Sequence, residues 1–115
     1  MLDSVAPKLV RSATLRSLFE SYSRSVTDRD NELVHLYEIR DALSRHYGSE
    51  QPAREALGIG KGEWQRLGVL ANVELLEQGR HRGKHPEGRR AATESELNEA
   101  RELARRWIMA FAQTI

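Results

Sequence analysis

The chain has 115 residues, 39% hydrophobic and 30% charged, with a formal net charge of +1. That length fits one domain around one core, and the near-neutral balance leaves no global pull toward nucleic acid or membrane, so any such pull is local. The lack of cysteine excludes a disulfide framework and thiolate chemistry.

From the start of the chain, MLDSVAPKLV carries neither a basic n-region nor a long apolar run, so no signal peptide is expected. No apolar stretch approaches the roughly 20 residues that span a bilayer, and the chain reads as a soluble cytoplasmic protein. Helical spacing recurs throughout, while no run alternates with period two over β-branched residues. Ser4 is a candidate cap for a first helix with Pro7 in its first turn. Leu15, Leu18, Phe19, Tyr22 and Val26 form an apolar stripe on a different side from Leu9, Val10 and Ala13. The N-terminal segment 1–29 therefore either touches two partners or breaks near Ser12 to Thr14, and one apolar side is expected to serve a dimer contact. Ser25 to Asp30 reads as a turn.

Residues 30–47 read as a helix with Leu33, Leu36, Tyr37, Leu43 and Tyr47 on one broad face, ended by Gly48. Ser49 opens a short helix with Pro52 in its first turn, stopping at Leu57 and Gly58. The link Gly58 to Gly62 leads into a helix carrying Trp64, Leu67, Ala71 and Leu75, closed by Gly79. The last helix starts at the capping box Thr93-Glu-Ser-Glu96. It carries Leu97, Ala100, Ala104, Trp107, Ile108, Phe111 and Ile115 at 3.6-residue spacing, with Glu102 and Arg106 as an outer i,i+4 pair. Trp64 and Trp107 are expected as core anchors, and His35 and His46 as boundary or core histidines. The expected fold class is all-α, a four- to five-helix bundle over residues 1–115.

The charge is unevenly spread. Residues 1–29 sum to +2, 30–50 to −3, 51–78 to −1, 79–90 to +4 and 91–115 to −1. The segment 79–90 sets Arg80, Arg82, Lys84, Arg89 and Arg90 against Glu87 alone, with His81 and His85 among them. Guanidinium forks match phosphate oxygens, and imidazole moves protons near neutral pH. Gly83 and Pro86 disfavour a continuous helix, so the cluster is expected on a loop.

Arg80-His81, the spacing to His85 and the capped helix T-x-x-E-L-x-x-A-x-x-x-A that follows resemble the HEPN (higher eukaryotes and prokaryotes nucleotide-binding) family of helical bundles. The resemblance is best over residues 64–115 and absent from the first 29. It implies a HEPN-like bundle acting as a homodimer, with both motifs lining one cleft. It further implies a metal-independent endoribonuclease of a toxin–antitoxin or phage-defence system, whose protein partner is an antitoxin. By that resemblance His85 acts on the ribose 2′-hydroxyl or the leaving oxygen, Arg80 holds the scissile phosphate, and His81 orients the motif. Arg82, Lys84, Arg89 and Arg90 then strengthen attachment to RNA or nucleotide phosphates. No metal or cofactor is called for.

Two other readings stay open. A non-enzymatic interaction module would use the same basic loop to bind an acidic partner. Residues 50–69 also resemble a helix-turn-helix, with Ala53, Leu57, Ile59, Trp64 and Leu67 apolar and Lys61, Glu63, Gln65 and Arg66 toward a DNA groove. The pattern at Gly58 to Gly62 lacks the remaining residues of a P-loop, and the His81–His85 pair has no nearby acidic or cysteine ligand to complete a zinc site.

Overall fold

The computed structural model describes residues 7–9, 11–73, 78 and 90–115. Among them the architecture is all-α, with no strand. A helical lead-in at residues 7–9 gives way at Ser12, whose backbone is extended and whose hydroxyl accepts the Leu15 amide. This N-cap opens helix α1, Ala13–Thr27. The break separates Leu9 from the α1 stripe, and Leu9 packs on the same core as Leu15 and Leu18, whereas Ala13 opens α1 itself and is exposed, and Val10 lies outside the described residues. The expected Ser4 cap lies outside the described residues.

Helix α1 runs further than the sequence suggests. Ser25 to Thr27, read as a turn, are helical, and the turn is a 3-10 segment at Arg29–Asn31. The Ser25 hydroxyl donates to the Tyr22 carbonyl and the Thr27 hydroxyl to Ser23, so these residues bond back into the helix they were expected to end. The inner face is also rotated. Ser21 and Ser25 are buried, whereas Val26, placed on the apolar stripe, is 55% exposed.

Helix α2, Glu32–Tyr47, buries Leu33, Leu36, Ile39 and Leu43 and ends at Gly48, whose φ of 95° suits glycine. Thr14 meets His46 and Ser21 meets Glu38, the pairing of antiparallel neighbours. Helix α3, Glu50–Leu57, stops at Gly58 in the left-handed region, and α4, Lys61–Gly68, continues into a π-helical turn at Val69–Val73. Leu75 and Gly79 lie outside the described residues.

The capping box at Thr93 is present as read, and it opens helix α5, Glu94–Thr114. Helix α5 lies along both α1 and α2. It runs parallel to α2, since Arg101 meets Glu32 at one end and Phe111 meets His46 at the other. It runs antiparallel to α4, where Glu63 meets Arg106 and Arg66 meets Glu99. Leu97, Ala100, Ala104, Trp107, Ile108 and Phe111 are buried, joined by Leu103, while Ile115 is exposed. Trp64 and Trp107 stack in the core at 5.4 Å between centroids and 25° between planes. Arg106 pairs with Glu63 across helices rather than with Glu102, which takes Arg105. No helix among the described residues is long and apolar enough to cross a membrane.

Candidate nucleic-acid interface

Six of the seven residues singled out in the basic segment, Arg80, His81, Arg82, Lys84, His85 and Arg89, lie outside the described residues. The structure places the two ends of that segment. On the incoming side, Gln78 follows α4 and its π turn, and its Oε1 accepts the Ala92 amide at 3.1 Å. On the outgoing side, Arg90 grips Glu96 with both terminal nitrogens, Nη1 to Oε1 and Nη2 to Oε2, each at 2.8 Å. Entry is thereby tied to the residue before the α5 cap, and exit to the first turn of α5.

Glu96 is the hub of this closure. Its Oε1 also accepts the Thr93 amide at 2.9 Å, while its own amide donates to the Thr93 hydroxyl at 3.1 Å. The Arg90 hydrogen bond, followed by that of the Thr93 backbone, lowers the Glu96 carboxyl from an ordinary 4.5 to about 2. The pair stays ionised at neutral pH. Arg90, grouped by sequence with the phosphate-binding cations, is thus engaged by its own fold, and the remaining positive charge lies between Gly79 and Arg89.

Beside the closure, Glu32 is nearly fully buried, with a side chain 2% exposed, yet remains paired with two arginines. Arg29 Nε donates to its Oε1 at 2.9 Å, and Arg101 grips both carboxylate oxygens, with Nη2 to Oε1 at 3.0 Å. Glu32 raises the Arg101 guanidinium above its ordinary value, chiefly through that hydrogen bond. Glu94 lies 4.0 Å from Arg29 and 3.7 Å from Arg101, completing a network that fixes the N-terminal end of α5 to α2. Sequence reasoning missed this cluster because Glu32 and Arg101 are 69 residues apart and each looks like an ordinary surface charge. Arg40 was equally hidden. Its guanidinium lies 5.1 Å from the Tyr37 ring centroid and 5.0 Å from that of Trp64, and a Cβ on Gly68 would overlap it.

The helix-turn-helix reading can be inspected directly. Helices α3 and α4 do form two short helices about a left-handed Gly58, with Ala53, Ile59, Trp64 and Leu67 buried. Of the four residues proposed to face DNA, however, Glu63 and Arg66 are turned onto α5, where Arg66 holds Glu99 through contacts of 2.8 and 3.1 Å. Lys61 and Gln65 alone remain exposed. Arg54, at the position where a small residue would let the helices approach, pairs with Glu50 along its own helix at 3.1 Å.

His35 is a boundary residue as expected, with Nε2 2.8 Å from Asp28 and Nδ1 3.8 Å from Glu38. His46 is more exposed than expected and stands edge-on to Tyr47 and Phe111. Among the described residues no group of three or more histidines and carboxylates could hold a metal ion. Comparison of the chain with protein-family models, curated proteins and solved structures finds no match.

Proposed function

We propose that this helical bundle binds RNA or nucleotide phosphates through the basic segment 79–90, and that Arg80 and His85 act there as a metal-independent endoribonuclease pair. The observation that supports the reading is the closed base. Gln78 bonds Ala92 just before α5 and Arg90 bonds Glu96 in its first turn, so both ends of the segment are held near the start of α5, and in sequence Arg80, Arg82, Lys84 and Arg89 fall between those anchors with a single carboxylate, Glu87. Elsewhere on the described surface, arginines are mostly matched with glutamates, as Arg24, Arg54, Arg66, Arg105 and Arg106 are. An excess of cations over carboxylates in that segment favours an anionic ligand.

The chemistry follows from the residue types. The ribose 2′-oxygen attacks the adjacent phosphorus, the bond to the 5′-oxygen breaks, and the products are a 2′,3′-cyclic phosphate and a 5′-hydroxyl. His85 either takes the proton from the 2′-hydroxyl or gives one to the leaving oxygen. Arg80 balances the charge that builds on the phosphoryl oxygens, and His81 orients the pair.

The test is cleavage and binding of single-stranded RNA in the presence of chelator. His85→Ala should abolish cleavage and leave affinity largely intact, because proton transfer and phosphate attachment are separate tasks. A purified protein that neither cuts nor binds RNA at low salt contradicts the reading and favours an interaction module whose basic segment docks an acidic protein.

A further inference from the structure

The far end of the bundle carries a second cationic region, about 24 Å along α5 from the Glu96 closure at 1.5 Å per residue. Two adjoining clefts, of about 370 and 320 Å³, share Ala13, Thr14 and His46. The first is completed by Lys8, Arg11, Ser12 and Ile115, the second by Ser17, Ala42 and Arg45. Among the described residues, four basic side chains and three hydroxyls thus line the pair, with no carboxylate side chain.

The partners of these cations set them apart. Among the described residues, the Arg11 and Arg45 side chains make no hydrogen bond or ion pair, whereas eight other arginines are paired with glutamates. Both unpaired arginines fall on the same double cleft. Lys8 is anchored beside them by donating to the Ala112 carbonyl at 2.6 Å. The ridge between the clefts is the Thr14 hydroxyl and His46 Nδ1, 3.1 Å apart. When the hydroxyl donates to Nδ1, His46 carries its proton on Nε2 and is left as a further donor. The Ala13 and Thr14 amides at the start of α1 add to the donor count without defining the site, while those of Leu15 and Arg16 are taken by Ser12.

We propose that this double cleft binds a small phosphate-bearing ligand of nucleotide size, with adjacent phosphoryl groups held by Arg11 on one side of the His46–Thr14 ridge and Arg45 on the other. The volumes match those of small-ligand clefts, and two guanidinium forks with intervening hydroxyls suit a diphosphate better than a single carboxylate. Arg90, the described end of the basic segment, is held at Glu96, toward the other end of α5.

The experiment follows backbone amide resonances of the full chain during titration with inorganic pyrophosphate and, separately, with adenosine diphosphate. It is run on a variant in which Arg80, Arg82, Lys84 and Arg89 are all alanine, so that failure of the RNA-binding reading leaves this test unaffected. Pyrophosphate should shift the amides of Ala13, Thr14, Arg45 and His46. Arg11→Gln and Arg45→Gln should each weaken binding at least several-fold, with Arg105→Gln unchanged as the control. Tighter binding of adenosine diphosphate would assign the organic part of the ligand to the same cleft, and equal binding would assign recognition to the phosphates alone. Absence of shifts at these amides at low salt, or unchanged binding in both arginine variants, overturns the proposal. The substituted side chains are exposed, and a melting curve for each variant confirms that the fold is intact.

Discussion

At the scale of single residues, Glu96 carries two roles that a sequence reading assigns separately. It is the third helical residue of a capping box, and it is also the anchor of Arg90 at the exit of the basic segment. Because its carboxyl is held at about 2 rather than the ordinary 4.5, the stabilisation it supplies is fully present above that ordinary value. It is lost as pH falls from there toward the folded value. Glu96→Gln should therefore destabilise the protein near neutral pH by an amount typical of a weakened cap, about 1 kcal/mol. The two proteins should converge in stability as the pH approaches 2. Denaturant titrations at several pH values check this; a difference that persists unchanged at the acid end contradicts it. The capping half of this role was legible, because T-x-x-E before an apolar run has a local geometric meaning. The pairing half was not, since nothing local distinguishes Arg90 from Arg89.

At the scale of elements, the last helix was the most readable part of the chain and α1 the least. Helix α5 has a cap, a continuous stripe and no internal breaker, so local rules and tertiary packing agree. In α1 they conflict. Serines at 21 and 25 take inner positions, the Ser21 hydroxyl on Glu38 of α2 and the Ser25 hydroxyl on the Tyr22 carbonyl, while Val26 stands at the surface. Cross-helix charge pairs were likewise invisible: Arg106 chooses Glu63 on α4 over the i,i+4 partner Glu102. The α4–α5 contact is instead centred on the two stacked indoles. Both indole nitrogens are buried without a hydrogen-bond partner among the described residues, so the tryptophans contribute through packing. Trp107→Ala should cost about 3–5 kcal/mol, whereas Trp107→Phe should cost distinctly less, since no hydrogen bond is lost. Equal losses for the two variants in equilibrium unfolding would show that the indole N–H has a role this packing does not supply.

At the scale of the whole molecule, function follows from where charge is and is not neutralised. The body of the bundle matches most of its arginines with glutamates, including the buried Glu32 held between Arg29 and Arg101. Outside that matching, positive charge gathers in the sequence between the Gln78 and Arg90 anchors and in one double cleft toward the end of α5. The excess at 79–90 was plain from charge counting alone. The double cleft was not, because Arg11 and Arg45 are 34 positions apart in the sequence and reach adjoining clefts only when α1 pairs antiparallel to α2.

The central claim is that the fastened basic segment binds nucleic-acid phosphates. Its most direct test is the salt dependence of single-stranded RNA affinity, compared between the natural chain and the variant with Arg80, Arg82, Lys84 and Arg89 replaced by alanine. Each phosphate contact to a single strand contributes roughly 0.7 to the slope of log affinity against log salt. If all four cations bind phosphate, the natural chain should show a steep negative slope, and the variant should bind weakly with a slope shallower by about 3 units. Equal affinity and equal slope for the two proteins would contradict the account.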